Sequence, residues 1–330
     1  MKVLVTGATG FIGKHLVNAL SKKHSVRAFV RESSRASDIK FLKKCGAEIF
    51  CGNFDDKKSL EKSMKNVGAV FHLAGGGYVA ATFKKGYDEL KRTNMDLTEN
   101  ILEAAAKAGV KKFVHFSSIS AMGIITEKEI DEETKCEPAT PHEVCKFGTE
   151  KIARGYKTKM TVTIMRPGIV YGPYGTNSEI IQLASLVKKH LFIIPGNGNN
   201  VMPWVYVKDV VNATVLAFEK NKKSMEKFII VSSPEPTFNE LISEIAKCLG
   251  VGVFIVHIPS SLFRLAGAMF EKMGNIFGFA PLINSTRARS MTSNRIYNIQ
   301  KIKNLGYRQK LSLHESMEET IKWYQENGIA

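Results

Sequence analysis

Cysteine is scarce and unpatterned in this 330-residue chain. The five present are Cys45, Cys51, Cys136, Cys145 and Cys248. Their number is odd, none form a CxxC pair, and no histidine stands at zinc-ligand spacing. That argues against a disulfide framework and a metal site, and fits a reducing, cytoplasmic setting. Long apolar runs are missing as well. None reaches the roughly 18 residues of a membrane span. The chain enters a strand-like run at once, so no signal peptide is expected. Acidic residues are outnumbered, 31 Asp and Glu against 47 Lys and Arg, for a formal charge of +16. Such an excess attracts phosphate groups, nucleic acid or anionic membrane. The lysines, however, come as scattered pairs such as Lys22-Lys23 and Lys188-Lys189, with no basic stripe interleaved with aromatics. A solvated basic surface is expected, with no nucleic-acid partner. Internal repeats and low-complexity stretches are absent.

What is present is alternation. "KVLVTG", "SVRAFV", "AEIFCG", "GAVFHLAG" and "KKFVHFSS" are short apolar runs with β-branched residues. Between them lie helical patterns. In "FIGKHLVNALSKK" the residues Ile12, Leu16, Val17 and Leu20 share one stripe. "NMDLTENILEAAAKAG" reads as one long helix ending at Gly109. A helix near Pro141 and the strand "MTVTIMRPG" follow. The pattern predicts an α/β fold, a Rossmann-type doubly wound parallel sheet covered by helices on both faces. Residues 1–170 form the dinucleotide-binding unit, and 204–233 return to it. Residues 171–203 and 234–330 are expected to form a smaller, mixed substrate-binding region. Ligands of such sheets bind at the carboxyl ends of the strands, so residues after each strand carry the function.

"VTGATGFIG" sets Gly7, Gly10 and Gly13 between the first strand and the first helix. Gly7 permits a tight turn, Gly10 lets backbone approach a pyrophosphate, and Gly13 allows close helix–strand packing. The free N–H groups of the helix start, at Phe11 and Ile12, favour an anion. The second strand ends in "FVRESS", where an acidic residue would bond the ribose 2′-hydroxyl of NAD. Arg31 with Ser34 suits a 2′-phosphate instead. NADP(H) is therefore favoured, with NAD(H) the alternative should Glu32 reach the ribose.

These residues, with others along nearly the whole chain, resemble the extended short-chain dehydrogenase/reductase family, also called the NAD-dependent epimerase/dehydratase family. "GNFDD" is similar to its adenine-contacting loop, which implies that role for Asn53 and Phe54. "VFHLAG" resembles its fourth-strand motif, placing Leu73, Ala74 and Gly75 along the cofactor. "RTNMDLTENILEAA" resembles the segment whose asparagine, here Asn94, supports the site. "FSSISAMG" resembles the fifth-strand motif, with Ser117 at the cofactor and Ser118 at the catalytic Ser/Thr. "RPGIVYGP" is similar to the stretch meeting the nicotinamide, here Pro167, Gly168, Ile169 and Val170. The second half looks most like the dihydroflavonol reductase and 3β-hydroxysteroid dehydrogenase branch. Sugar-nucleotide epimerases of the family carry an arginine where Met202 and Pro203 stand, so a diphosphate would have to rely on Arg287 or Arg289. A homodimer through two packed helices is what the resemblance implies.

The family's catalytic Tyr-x-x-x-Lys aligns without gaps on "PHEVCK": the lysine is Lys146 and the tyrosine has become His142. Histidine can carry a proton, but the nearby ammonium should hold it neutral. Cys145, one turn on, is expected to be a small buried filler. Tyr87–Lys91 and Tyr297–Lys301 match the same spacing outside its setting and read as chance. His72 and His115 lie inside apolar runs and read as core or loop residues. Leu262, Leu265, Ala266, Met269, Phe270, Met273, Ile276 and Phe277 form a helical stripe, expected to pack or to wall an apolar pocket, with weak membrane-surface association as the alternative. The favoured function is alcohol–ketone redox on a mainly apolar or cyclic small molecule, using Ser118, His142 and Lys146. The alternatives are a redox-silent cofactor sensor or scaffold, and a nucleotide-sugar epimerase or dehydratase.

Overall fold

Val3, Leu4 and Val5 are successive residues, yet all are wholly buried. A strand can bury both of its faces only when its sheet is covered on both sides. The computed structural model describes all residues except 77–82, 126–128, 177–178, 280, 282 and 330, and not the side chains of 83–86 and 275. Its strands are β1 (Lys2–Thr6), β2 (Ser25–Val30), β3 (Glu48–Cys51), β4 (Ala69–His72), β5 (Lys112–Phe116), β6 (Thr161–Pro167), β7 (Ile169–Tyr171), β8 (Leu191–Pro195), β9 (Trp204–Tyr206), β10 (Met225–Ile230) and β11 (Phe254–Ile258). Seven of them form one parallel sheet in the order β10-β6-β5-β4-β1-β2-β3. Chain order reverses between β1 and β4, which pair from Val3 against Ala69 to Thr6 against His72. Their carboxyl ends therefore frame the crevice where such sheets bind ligands.

One core cluster fills one face of the sheet around Val3, Leu16, Val17 and Ile229, and another fills the opposite face around Leu4, Leu60, Phe113 and Val162. A third cluster stands apart from the sheet, around Ile180, Phe192, Trp204, Phe238 and Tyr324. It lies beside two short parallel pairs, β7 with β9 and β8 with β11.

The long helix expected to begin near Asn94 starts earlier and is not uniform. It runs as Phe83–Leu90, then a π-helical stretch Lys91–Asp96, then Leu97–Lys107. Thr93 Oγ1 donates to the Glu89 carbonyl and Asn94 Nδ2 to the Leu90 carbonyl, each four residues back. Those carbonyls are the ordinary helical acceptors, so side-chain capture favours the wider register. The helix Pro141–Gly155 is fixed at its start by a reciprocal capping box, in which Thr140 accepts from the Glu143 N–H and Glu143 accepts from the Thr140 N–H. Proline at its first position costs no hydrogen bond. This end carries His142.

The apolar stripe of the helix Ser260–Phe277 mostly faces outward instead of packing into the core. Leu262, Leu265, Met269, Phe270, Met273, Ile276 and Phe277 are exposed. The reason is that the small residues on the opposite side, Gly267 above all, make the contact with the fold.

Candidate active site

The glycine turn after β1 leaves no room for side chains. Gly7 has φ +69, and a Cβ there would come within 2.8 Å of the Ala74 nitrogen. A Cβ on Gly13 would approach the Gly7 carbonyl oxygen to 2.1 Å. The helix Phe11–Leu20 starts at Gly10 with no side-chain cap and no acidic residue in its first turn. Its N–H groups and dipole are thus left for an anion. This cradle, which a single methyl group would fill, fits a dinucleotide pyrophosphate. At the ends of the neighbouring strands stand the other expected contacts. Arg31 is exposed after β2, with Ser34 Oγ accepting its backbone N–H. After β3, Asn53 Oδ1 caps the Asp55 N–H and Phe54 stacks on Phe29, ring centres 4.5 Å apart. After β4, Leu73 and Ala74 are held to Thr6.

Gly75, Asn94 and Lys146 converge. A Cβ on Gly75 would lie 2.7 Å from Asn94 Oδ1 and 3.9 Å from Lys146 Nζ. Asn94 is buried, and its amide is spent on the Leu90 and Gly76 carbonyls. Burial lowers the Lys146 ammonium below the usual lysine value.

Ser118 caps the short 3-10 turn Ile119–Met122 and exchanges hydrogen bonds with Ser120. Together with His142, Gly168 and Ile169 it lines a cavity of about 280 Å³. Gly168 is required there, since a Cβ would come within 2.1 Å of the Pro203 oxygen. His142 is half-buried and has no hydrogen-bond partner among the described residues. Its pKa is pushed down to about 4, first by burial and then by Lys146, with Glu143 opposing. Neutrality was expected from the ammonium alone; desolvation is the larger cause. Between about 4 and the unfolded value of 6.5 the unfolded chain holds more protons, so this group costs stability as pH falls through that window. The His142 ring resonances should stay those of neutral imidazole from pH 8 down to pH 5.5 in an NMR titration; a midpoint near the free value would mean the ring is solvated.

Ser117 faces elsewhere. Its hydroxyl donates to Glu150 Oε1 at 2.6 Å, and Glu150 accepts two bonds from Arg166, from Nε at 2.8 Å and Nη2 at 2.6 Å. The Ser117 backbone N–H is likewise engaged, donating to the Met165 carbonyl at 2.8 Å. His72 and His115 are buried and bonded to Thr6, Thr98 and Thr149, with burial holding both imidazoles far below their usual pKa. Tyr297 is buried and does not line the cavity, and Lys301 pairs with Glu226. Cys145 is buried.

The rest of the cavity wall is mixed: Ile119, Ile124 and Pro203 stand beside Ser120, Thr140 and Ser290. Arg287, Arg295 and Glu179 line it; Arg289 does not. Burial raises the Glu179 carboxyl, with Arg287 opposing. Arg295 is buried, donates to Ser290 Oγ at 2.8 Å, and keeps its Nε without a hydrogen-bond partner among the described residues. Glu179 and Arg295 were not read from the sequence. The only signal for Arg295 was the basic cluster "NSTRARS…NR"; Glu179, in "TNSEII", had none.

Residues 3–231 match the model of the NAD dependent epimerase/dehydratase family, and the chain belongs to that family. Among curated proteins it is 28% identical over 338 residues to a UDP-N-acetyl-alpha-D-glucosaminuronate decarboxylase of Bacillus cytotoxicus, covering 98% of each chain. It is 22% identical over 326 residues to an N-acetyl-alpha-D-glucosaminyl-diphospho-ditrans,octacis-undecaprenol 4-epimerase of Escherichia coli O157:H7, covering 97% of this chain and 94% of that one. Among solved structures, a UDP-glucuronic acid 4-epimerase of Bacillus cereus, in complex with UDP-glucuronic acid and NAD, superposes with a TM-score of 0.78 at 21% identity, over 99% of this chain and 100% of that one.

Proposed function

We propose that this chain is a dinucleotide-dependent enzyme that epimerises or dehydrates a nucleotide-linked sugar, with His142 as its proton-handling group. One observation carries the reading. The cavity that holds Ser118 and His142 also holds Arg287 and Arg295. Two guanidinium groups suit a diphosphate, whose negative charge an apolar or steroid-like molecule would not supply. The relatives named for sugar nucleotides support it. Apolar ketone reduction, the first expectation from sequence, gives way for this reason.

When bound, the dinucleotide supplies a hydride acceptor and donor at its nicotinamide. Gly7, Gly10, Gly13 and the N–H groups of Phe11 and Ile12 would hold its pyrophosphate. Lys146, beside Gly75 and Asn94, would bond its ribose, and Pro167 to Val170 would back its nicotinamide. The cofactor named with the sugar-nucleotide neighbours is NAD, and NAD(H) is taken as the working cofactor. Arg31 remains the group that would favour NADP(H). The second lobe, 171–203 and 234–330, would hold the sugar nucleotide. Ser118 would bond the reacting hydroxyl, and a neutral imidazole nitrogen of His142 would take its proton and later return it. Because oxidation and reduction cancel, no reduced cofactor accumulates.

The test is a panel of UDP- and dTDP-hexoses followed by NMR of the products, with Arg287→Ala beside the natural protein. At least one sugar should be converted without net NADH. Arg287→Ala should weaken its binding roughly tenfold, the loss of one charge-assisted bond, while dinucleotide affinity holds. Net cofactor consumption on simple ketones, with no sugar bound, would restore the oxidoreductase reading. Dinucleotide binding with neither activity would make the chain a sensor.

A further inference from the structure

The helix Ser260–Phe277 is amphipathic the wrong way round for a water-facing surface. Two of its charged groups are tied back to the fold. Arg264 Nε donates to Thr292 Oγ1 at 2.7 Å, and Glu271 accepts the Ser285 N–H at 3.1 Å. Its contact with the fold is made by small residues and Phe263: a Cβ on Gly267 would come 2.8 Å from Ala288 Cβ. Its apolar stripe turns outward. Leu262, Leu265, Met269, Met273, Ile276 and Phe277 follow helical spacing on one side, and Ile276 and Phe277 are 75% and 72% exposed. A helix that only had to cover the fold would carry the opposite pattern. Contiguous exposed apolar surface of this kind marks an interaction site.

Charge selects the occupant. From Val251 to Arg295 the one acidic residue is Glu271, and of the basic residues Arg287 and Arg295 line the cavity, which leaves Arg264, Lys272 and Arg289 exposed outside it. Glu271 is tied to the Ser285 backbone, whereas Lys272 is exposed beside the stripe. A second copy would bring the same basic rim and another +16 of charge against this face. An anionic bilayer brings the complement. No helix among the described residues is long and apolar enough to cross a membrane. We propose that the chain docks on the surface of an anionic phospholipid bilayer, with this helix lying in the interface, its apolar stripe among the acyl chains and Lys272 at the headgroups. The inner side of the helix packs on Ser285–Met291, the segment that places Arg287 at the cavity. Docking would therefore set the substrate cavity near the membrane surface.

The test is vesicle sedimentation of the full chain, using phosphatidylcholine alone and a mixture with about a third phosphatidylglycerol. The anionic vesicles should bind at least about fivefold more protein, and added salt should weaken the binding. The triple variant Leu265→Glu, Met269→Glu, Ile276→Glu changes only exposed side chains. It should lose vesicle binding while keeping dinucleotide affinity and melting temperature. Absence of binding to both vesicles, or equal binding by the triple variant, would overturn the proposal. So would a dimer in sedimentation equilibrium that the triple variant dissolves, since the face would then belong to a second copy. None of these readouts depends on which sugar the site turns over.

Discussion

Arg166→Met should destabilise the protein by about 3–5 kcal/mol, the cost of stranding a buried charge. Arg166 is 1% exposed and Glu150 4%. With the guanidinium gone, Glu150 would keep only the Ser117 hydroxyl as a side-chain hydrogen-bond partner. A loss of that size is a large part of the roughly 5–15 kcal/mol that holds a domain folded. It should appear in urea melts as a lower midpoint with an unchanged slope. Glu150→Leu combined with Arg166→Met should recover most of it, because a matched apolar pair leaves no orphan charge. A cost below about 1 kcal/mol for the single change would mean that the pair is solvated and does not clamp helix to sheet. The clamp bears on the site. Glu150 lies on the helix that carries His142 and Lys146, and Arg166 lies on β6 just before Pro167 to Val170.

Loss of His142 should be the largest effect on turnover. His142→Ala is expected to lower kcat by roughly 10²–10⁴, the usual share of one general acid–base group. Dinucleotide affinity should change less than about twofold, because the glycine cradle and Lys146 are untouched. His142→Tyr should keep far more activity than the alanine variant, since a phenol can carry the same proton and Lys146 is in place to lower its pKa. Equal kcat for wild type and His142→Ala would show that another group, Ser118 with water, handles the proton.

The sheet was legible because its signals are local. Val3, Leu4 and Val5 form a continuous apolar run, the stripe Leu16, Val17 and Leu20 repeats at helical spacing, and Gly7 and Gly13 stand at fixed distances. The row from Ser118 to His142 was legible for the same reason. What was missed is non-local. Arg295 and Glu179 share a cavity with His142 although both lie far from it along the chain. The Glu150–Arg166 pair joins two segments that sequence reading treats separately. The π-helical stretch at Asn94 depends on side chains capturing carbonyls, which composition and period do not reveal. The outward stripe of Ser260–Phe277 has the same spacing as a buried one, so period alone could not decide its direction.

The place of β10 has a consequence for synthesis. The strand pairs with β6 yet follows it by some sixty residues, after β7, β8 and β9. Until Met225–Ile230 leaves the ribosome, β6 is an open edge, and its unpaired backbone can recruit another nascent chain. Val162, Ile164 and Met165 wait on that edge. The segment between β6 and β10 therefore also times the moment at which the parallel sheet becomes safe from aggregation. Chains truncated before Met225 should accumulate as insoluble protein even though every residue of the glycine cradle is already made.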